Sequence, residues 1–337
     1  MRTDGLTACS IALFVSLSAH GARPEQSHRI EEAAYIRIGG IEEWVSMRGD
    51  DDGRPVLLVV HGGPGDVQSP FVKAYAPYEH DFVLVQWDQR GGGRTYAKYG
   101  KETPNLTLTQ QIDDGIELSE WLHRRFPKQQ LILLGHSWGT IVGTGMVQKK
   151  PDLFYAYVGT GQVASWPAIV NHKFDVALRG ARSKQDTQTL SMLESIGTPD
   201  PANVSQFFVI SRAATRTLLP ADDAAWFAAT PQNLAESPGF SEKEIKAYSE
   251  GLNYSVSTLM PTLIQVDLTR SAPSVNVPYC VIQGTDDINV SPEAAKVYFD
   301  SITAPKKHFY FMNGAGHFAL ATHQPEFLAD LKDCLRN

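Results

Sequence analysis

The strongest constraint on the fold is a serine between two glycines, placed where an apolar strand gives way to a helix. Residues 131–134 read Leu-Ile-Leu-Leu, and residues 135–140 read Gly-His-Ser-Trp-Gly-Thr. A serine on such a tight turn projects its hydroxyl above the sheet edge, and only flanking residues without bulk let the strand and helix approach. The pattern therefore predicts a nucleophile elbow at Ser137, with Gly135 and Gly139 supplying the space.

Short strand-like runs without alternation recur along the chain, a pattern typical of parallel strands buried on both faces. They cover residues 56–60, 82–85, 131–134, 279–282 and 307–312. Amphipathic helical patterns lie between them, and the clearest begins at Thr107 with a capping-box signature. Strands that alternate with helices predict an α/β fold with a doubly wound, mostly parallel sheet.

The chain has 337 residues, which is long for one compact domain but suits one α/β domain with an insertion. From about residue 165 to about residue 270, strand-like runs give way to amphipathic segments separated by prolines. We therefore expect a first core part over 33–164, a helical cap insertion over 165–270 and a second core part over 271–337.

The first residues resemble a signal peptide, which we place at residues 1–22. An apolar stretch over 11–19 precedes small residues, although Asp4 and a single basic residue are unusual for such a leader. We expect a secreted or periplasmic protein, with a cytoplasmic protein as the alternative. After leader removal no stretch approaches the ~20 apolar residues of a membrane span, so we expect no membrane association.

Net charge and cysteine content restrict the classes of substrate and cofactor that the chain is expected to bind. The formal net charge of −7, without a basic run, argues against nucleic acid and favours a small peptide or small acyl substrate. Scattered cysteines suggest no metal site, and we expect no cofactor. Cys280 and Cys334 either pair in an oxidising compartment or stay buried thiols, and we favour the thiols. The oligomeric state stays open.

A serine nucleophile needs a base within hydrogen-bond reach and a carboxylate that orients the base. Gly-Thr-Asp-Asp at 284–287 follows one strand-like run, and Gly-Ala-Gly-His-Phe at 314–318 follows the next. The order Ser, Asp, His is that of α/β-hydrolases, whose acid usually stands three residues after the glycine. We therefore predict a catalytic triad of Ser137, Asp287 and His317, with Asp286 as a turn residue.

A glycine loop supplies the expected oxyanion site. Residues 61–65, His-Gly-Gly-Pro-Gly, follow the first apolar run, where this fold needs backbone N–H groups that point at the developing oxyanion. We predict that Gly63 and Trp138, the residue after the serine, donate these two hydrogen bonds.

Three motifs together resemble the proline iminopeptidase branch of the α/β-hydrolases, the S33 serine peptidases. They are residues 61–65, residues 87–94 (Trp-Asp-Gln-Arg-Gly-Gly-Gly-Arg) and residues 135–140. The resemblance covers nearly all the chain after about residue 35 and implies a helical cap after the sixth strand, the same triad, and removal of an N-terminal residue, typically proline. Asp88 and Arg90 also match the family pattern, and we expect a structural ion pair there.

The cap departs from the family pattern. It begins with Ser165-Trp166-Pro167 and lacks the Trp-rich motif whose glutamate helps hold the substrate ammonium. An aminopeptidase needs a buried carboxylate to pair with that cation. Because the motif that would supply it is absent, the substrate-binding residues are unknown. The candidates, each also readable as a solvated cap residue, are Glu194, Asp222, Asp223 and Glu236. Apolar residues that line a pocket or pack the cap are Trp166, Phe207, Phe208 and Trp226.

We conclude from the sequence that the chain is a serine hydrolase that works through an acyl-enzyme, with a proline iminopeptidase-like aminopeptidase as the leading hypothesis. The same triad cleaves esters, so an esterase or lactonase for small acyl substrates is the alternative. A non-catalytic small-molecule receptor, which keeps the pocket without turnover, is a third hypothesis.

Overall fold

One sheet organises the computed structural model, which describes residues 28–336; the expected signal peptide lies outside these residues. Its strands run in the order β1-β2-β4-β3-β5-β6-β7-β8. The strands are β1 Ile30–Ile38, β2 Ile41–Gly49, β3 Val56–Val60, β4 Val83–Asp88, β5 Leu131–His136, β6 Ala156–Thr160, β7 Tyr279–Gly284 and β8 Lys307–Met312. From β4 to β8 neighbouring strands are parallel, whereas β1 with β2 and β2 with β4 are antiparallel.

Helices cover both faces of this sheet and form an insertion. Those that connect or follow the core strands are α1 Val72–Tyr75, α2 Gly93–Tyr99, α3 Leu108–Arg125, α4 Trp138–Lys149, α10 Leu268–Ser271, α11 Pro292–Ser301, α12 Ala319–Thr322 and α13 Gln324–Arg336. Between β6 and β7 the chain inserts α5 Trp166–Ser183, α6 Thr187–Ile196, α7 Val204–Leu218, α8 Ala221–Glu236 and α9 Glu242–Leu263. The expected mostly parallel α/β sheet is confirmed.

Burial explains why the central strands are apolar throughout. Every residue of β3, β4, β5, β6 and β7 is buried, because helices cover both faces of a parallel sheet. The edge strand β1 is mostly exposed and carries charged residues, which hinders edge-to-edge pairing between molecules. Among the described residues, no helix combines the length and apolar character that crossing a bilayer requires.

A disulfide joins the strand β7 to the C-terminal helix α13. Cys280 on β7 and Cys334 on α13 are bonded, with their Cα atoms 6.1 Å apart. Both residues are buried. The expectation of two separate thiols is therefore wrong. The packing of α13 against β7 brings together two residues that are 54 positions apart in the sequence.

Candidate active site

Ser137 occupies a strained turn between β5 and α4. Its φ is 53°, in the left-handed region that costs a non-glycine residue about 1–3 kcal/mol. The turn is held because the Ser137 N–H donates to the Thr160 carbonyl at 3.0 Å and the Thr140 hydroxyl donates to the Ser137 carbonyl at 2.7 Å. A Cβ at Gly139 would overlap the Val60 carbonyl. Gly139 therefore leaves the room for the strand and helix to meet.

A histidine and a carboxylate face this serine from two other loops. His317 follows β8, Asp287 follows β7, and the His317 Nδ1–H donates to Asp287 Oδ2 at 2.8 Å. The adjacent Asp286 is exposed. Both Ser137 and His317 line one cavity, and the Ser137 hydroxyl has no hydrogen-bond partner within residues 28–336. The hydroxyl is therefore not engaged by another protein group in the described part of the chain.

Asp287 is fully engaged as an acceptor. Its Oδ1 accepts from the Asn289 and Val290 N–H groups at 2.8 and 2.9 Å, and its Oδ2 accepts from Gln283 Nε2 at 3.0 Å as well as from His317. Burial alone would raise its pKa, but the His317 charge and these hydrogen bonds outweigh it and lower the pKa below the usual value. Asp287 therefore stays ionised at neutral pH.

The same contact with Asp287 shifts the pKa of His317. Burial disfavours the charged form of His317, but the charge and hydrogen bond of Asp287, with a further contribution from Asp223, raise the pKa of His317 above its usual value of 6.5. Charge that develops on the imidazole is thereby stabilised.

The loop that carries His317 is anchored from the core and the cap. His136 Nε2 donates to the His317 carbonyl at 3.0 Å, and its Nδ1 faces Gln68 Nε2 at 3.2 Å. Burial lowers the pKa of His136 to about 3, so the ring is neutral. Asp223 accepts from the His317 N–H at 3.0 Å and from the Phe318 N–H at 3.2 Å. The cap helix α8 thus fixes the backbone at His317.

None of the four proposed cap carboxylates lines the cavity. Asp222 accepts from the Gly316 N–H at 2.9 Å, so it and Asp223 are occupied by the histidine loop. Glu194 is exposed, and Glu236 pairs with Lys73 at 2.7 Å on the surface. These four carboxylates are therefore not placed to bind an ammonium group in this cavity.

Gly63 and Trp138, the two predicted oxyanion donors, line the same cavity as Ser137. Gly63 lines the cavity with φ of 105° in a tight turn closed by the Asp66 N–H, which donates to the Gly62 carbonyl at 3.1 Å. Trp138 is the first residue of α4, and its indole donates to Gln111 at 3.1 Å. Neither the Gly63 nor the Trp138 backbone N–H has a hydrogen-bond partner in the described part of the chain.

The expected ion pair between Asp88 and Arg90 does not form. Arg90 is buried and donates to Asp114 on α3 at 2.8 Å, whereas Asp88 accepts from the Arg94 N–H at 2.9 Å. Burial raises the pKa of Asp88 to about 6. Both residues hold loops near the oxyanion turn, as expected, but through partners that only the tertiary fold brings near.

The cavity measures about 330 Å³ and is mostly apolar. Trp166, Phe207 and Phe208 line it, whereas Trp226 packs against Phe71 and Phe318. A cavity of this size suits a small molecule or a short peptide end. Within residues 28–336 no group of His, Cys, Asp and Glu side chains is arranged to hold a metal ion.

Two charged side chains in the cavity wall were missed in the sequence. Asp66 directly follows the glycine loop, and Tyr248 donates a hydrogen bond to its Oδ1. Lys173 lies on α5, where its neighbours at helical spacing, Ile169 and Val170, are buried. A lysine on the buried stripe of an amphipathic helix is the signal that would have singled it out.

Comparison with known proteins identifies the fold. A family model described as the alpha/beta hydrolase fold matches residues 55–324. The chain is 30% identical over 285 residues to the probable aminopeptidase YbaC of Bacillus subtilis (strain 168), covering 84% of this chain and 89% of that protein. It is 24% identical over 303 residues to a proline iminopeptidase of Heyndrickxia coagulans, covering 89% and 96%.

Solved structures show the same architecture. The proline iminopeptidase-related protein TTHA1809 from Thermus thermophilus superposes with a TM-score of 0.62 at 19% sequence identity. The match covers 91% of this chain and 98% of that one.

Proposed function

Because the chain belongs to the α/β-hydrolase family, we propose that it is a serine hydrolase that cleaves an amide or ester bond through an acyl-enzyme. One observation carries the proposal. Ser137, on its strained turn, shares a cavity with a histidine that a buried aspartate orients at 2.8 Å, and with two backbone N–H groups that have no hydrogen-bond partner within residues 28–336.

Each residue has one task in this mechanism. His317 Nε2 removes the proton from the Ser137 hydroxyl as the oxygen attacks the substrate carbonyl carbon, while Asp287 holds the ring and stabilises the imidazolium. The Gly63 and Trp138 N–H groups donate to the oxyanion. His317 then protonates the leaving nitrogen or oxygen. In the second half of the reaction, His317 removes a proton from a water molecule that attacks the acyl carbon, and returns that proton to the Ser137 oxygen as the acid departs. No step requires a cofactor.

An aminopeptidase-like activity is the leading substrate class. The names of the relatives support it, and so does Asp66, the single carboxylate that lines the cavity within residues 28–336. Tyr248 occupies one of its oxygens, which leaves the other for a substrate ammonium. An ammonium in a largely apolar cavity is stabilised only beside such a partner.

An esterase or lactonase for small acyl substrates is the second candidate. The observation that favours it is the apolar lining together with the absence of Glu194, Asp222, Asp223 and Glu236 from the cavity wall. An ester of a small apolar acid would need no ammonium site at all.

A substrate panel separates the two. We would compare prolyl and other aminoacyl chromogenic amides with short-chain aryl esters, using Ser137→Ala as the blank. Amide cleavage that requires a free amino terminus and is lost in Asp66→Asn establishes the aminopeptidase. Ester cleavage alone establishes the esterase. Turnover near the wild-type rate in Ser137→Ala would refute the serine mechanism.

We also propose that the protein is exported. The leader-like residues 1–22 and the disulfide between Cys280 and Cys334 support this proposal, because such bonds persist in oxidising compartments. Recovery of the protein from the periplasm or medium without its leader is the expected result. Retention of Met1 in the cytoplasmic fraction would refute it.

A further inference from the structure

A buried lysine forms part of the cavity wall. Lys173 is 7% exposed, lines the cavity, and donates from Nζ to Asn289 Oδ1 at 2.7 Å. It forms no salt bridge with any residue in the described range 28–336. An ammonium has three N–H donors, so one is used and two are left.

Neither of the nearby carboxylates forms a salt bridge with Lys173. Asp287 lies close enough to act on the charge of Lys173, but its two oxygens already accept four hydrogen bonds. Asp66 also lines the cavity, but it forms no salt bridge with Lys173. The protein therefore supplies an uncharged amide, and no carboxylate, to the Lys173 ammonium.

Packing alone does not explain a lysine at this position. It lies on the buried stripe of α5 with Ile169 and Val170, where an apolar side chain would carry no desolvation penalty. A charge taken from water without a partner destabilises a protein by several kcal/mol, and a bound anion removes this penalty. A cation kept at the edge of a small, mostly apolar cavity thus indicates an anionic ligand group.

We propose that Lys173, oriented by Asn289, binds a carboxylate group of the substrate. Preferred substrates are then amides or esters that carry a free carboxylate near the scissile bond. The cleavage of such substrates rests on the proposed function, whereas their binding does not. The carboxylate has two sources: the carboxyl terminus on the leaving side, as in a dipeptide, or a second carboxyl group on the acyl side, as in a dicarboxylic half-ester.

Binding to Ser137→Ala tests the site without turnover. Calorimetry would compare monomethyl glutarate with dimethyl glutarate, which lacks the free carboxylate. Losing a charge-assisted hydrogen bond corresponds to roughly ten-fold or more in affinity, so we expect the monoester to bind at least that much more tightly. We expect Lys173→Met in the Ser137→Ala background to abolish the difference and Lys173→Arg to retain most of it. Equal binding of the two esters, or an unchanged difference in Lys173→Met, would overturn the proposal.

Turnover by the Ser137 enzyme then distinguishes the two sources. The pairs are prolyl dipeptides against their C-terminal amides, and monoaryl glutarate against aryl pentanoate. We expect Lys173→Met to lower kcat/KM for the carboxylate member of one pair about ten-fold or more relative to its neutral partner. An equal loss for both members of each pair would show that Lys173 only supports the Asp287 loop, and would refute carboxylate binding.

Two controls complete the test. Lys243→Met removes an exposed lysine from the cap helix α9, and we expect it to change neither ratio. A preparation in which Ser137→Ala binds the monoester but the Ser137 enzyme cleaves nothing would refute the proposed hydrolase while retaining the carboxylate site. The two failures are therefore distinguishable.

Discussion

Replacing Asp287 with asparagine should stop the reaction without removing any of the reacting atoms. Asparagine keeps one carbonyl oxygen and presents an NH₂ group in place of the other. At the Oδ1 position that NH₂ would face the Asn289 and Val290 N–H groups, which cannot turn away. At the Oδ2 position it would face His317, whose ring can change its tautomer, and the Gln283 amide, whose oxygen is held by the Gln162 N–H. The second arrangement is therefore favoured.

In that arrangement His317 accepts at Nδ1 and carries its proton on Nε2, where it can no longer take a proton from Ser137. Comparable changes of tautomer lower kcat by about 10⁴-fold. We expect this loss in Asp287→Asn, measured as kcat and kcat/KM on the best substrate of the panel at neutral pH. Denaturant unfolding should show a fold that persists, weakened by about 1–3 kcal/mol for a buried donor left without a partner.

Asp286→Asn is the matched control, since Asp286 is exposed and precedes Asp287 directly. Surface substitutions change the free energy of unfolding by about 0.5 kcal/mol or less. We therefore expect the Asp286→Asn enzyme to be folded and to turn over substrate at nearly the wild-type rate. A folded Asp287→Asn enzyme within ten-fold of the wild type would refute the reasoning. A large loss in Asp286→Asn alone would transfer the acid's role to the neighbouring residue.

Three further predictions concern pH and stability. Since only neutral His317 accepts a proton and its pKa is raised, log kcat/KM should fall with decreasing pH from a midpoint above 6.5; a midpoint below that value would contradict it. Burial lowers the pKa of Lys173 to about 8 against the opposing charge of Asp287, so the preference for carboxylate substrates should hold below that pH and disappear above it, but persist in Lys173→Arg. Removing the disulfide by Cys280→Ser with Cys334→Ser should lower the free energy of unfolding by about 4 kcal/mol, from its separation of 54 residues; an unchanged urea midpoint would refute this.

The core was predictable because local pattern and tertiary role agree there. The apolar runs at β3 and β5 are buried on both faces, and the elbow at Ser137 requires small neighbours that the sequence displays. The hairpin of β1 and β2 was missed because its edge strand is largely exposed and lacks a continuous apolar run. The strand β6 is five residues long and contains a glycine, so it too gave little signal.

The partners of charged residues were not predictable, because they depend on tertiary contacts. Arg90 finds Asp114 on α3, and Asp223 reaches from the cap to the His317 loop 94 residues later. Both pairings follow from how α3 and α8 dock, which hydrophobic periodicity does not specify. Lys173 could have been singled out from the sequence, since a lysine interrupts an otherwise apolar stripe of α5. That it lines the cavity could be learned only from the structure.

The central claim is that Ser137 is an activated nucleophile. The most direct test is intact-protein and peptide mass spectrometry after treatment of the folded protein with a fluorophosphonate probe. We predict one adduct per chain, located on Ser137, absent from Ser137→Ala and from heat-unfolded protein, and strongly slowed in Asp287→Asn. A folded protein that stays unlabelled, or a label on any other residue, would contradict the account and favour a non-catalytic receptor.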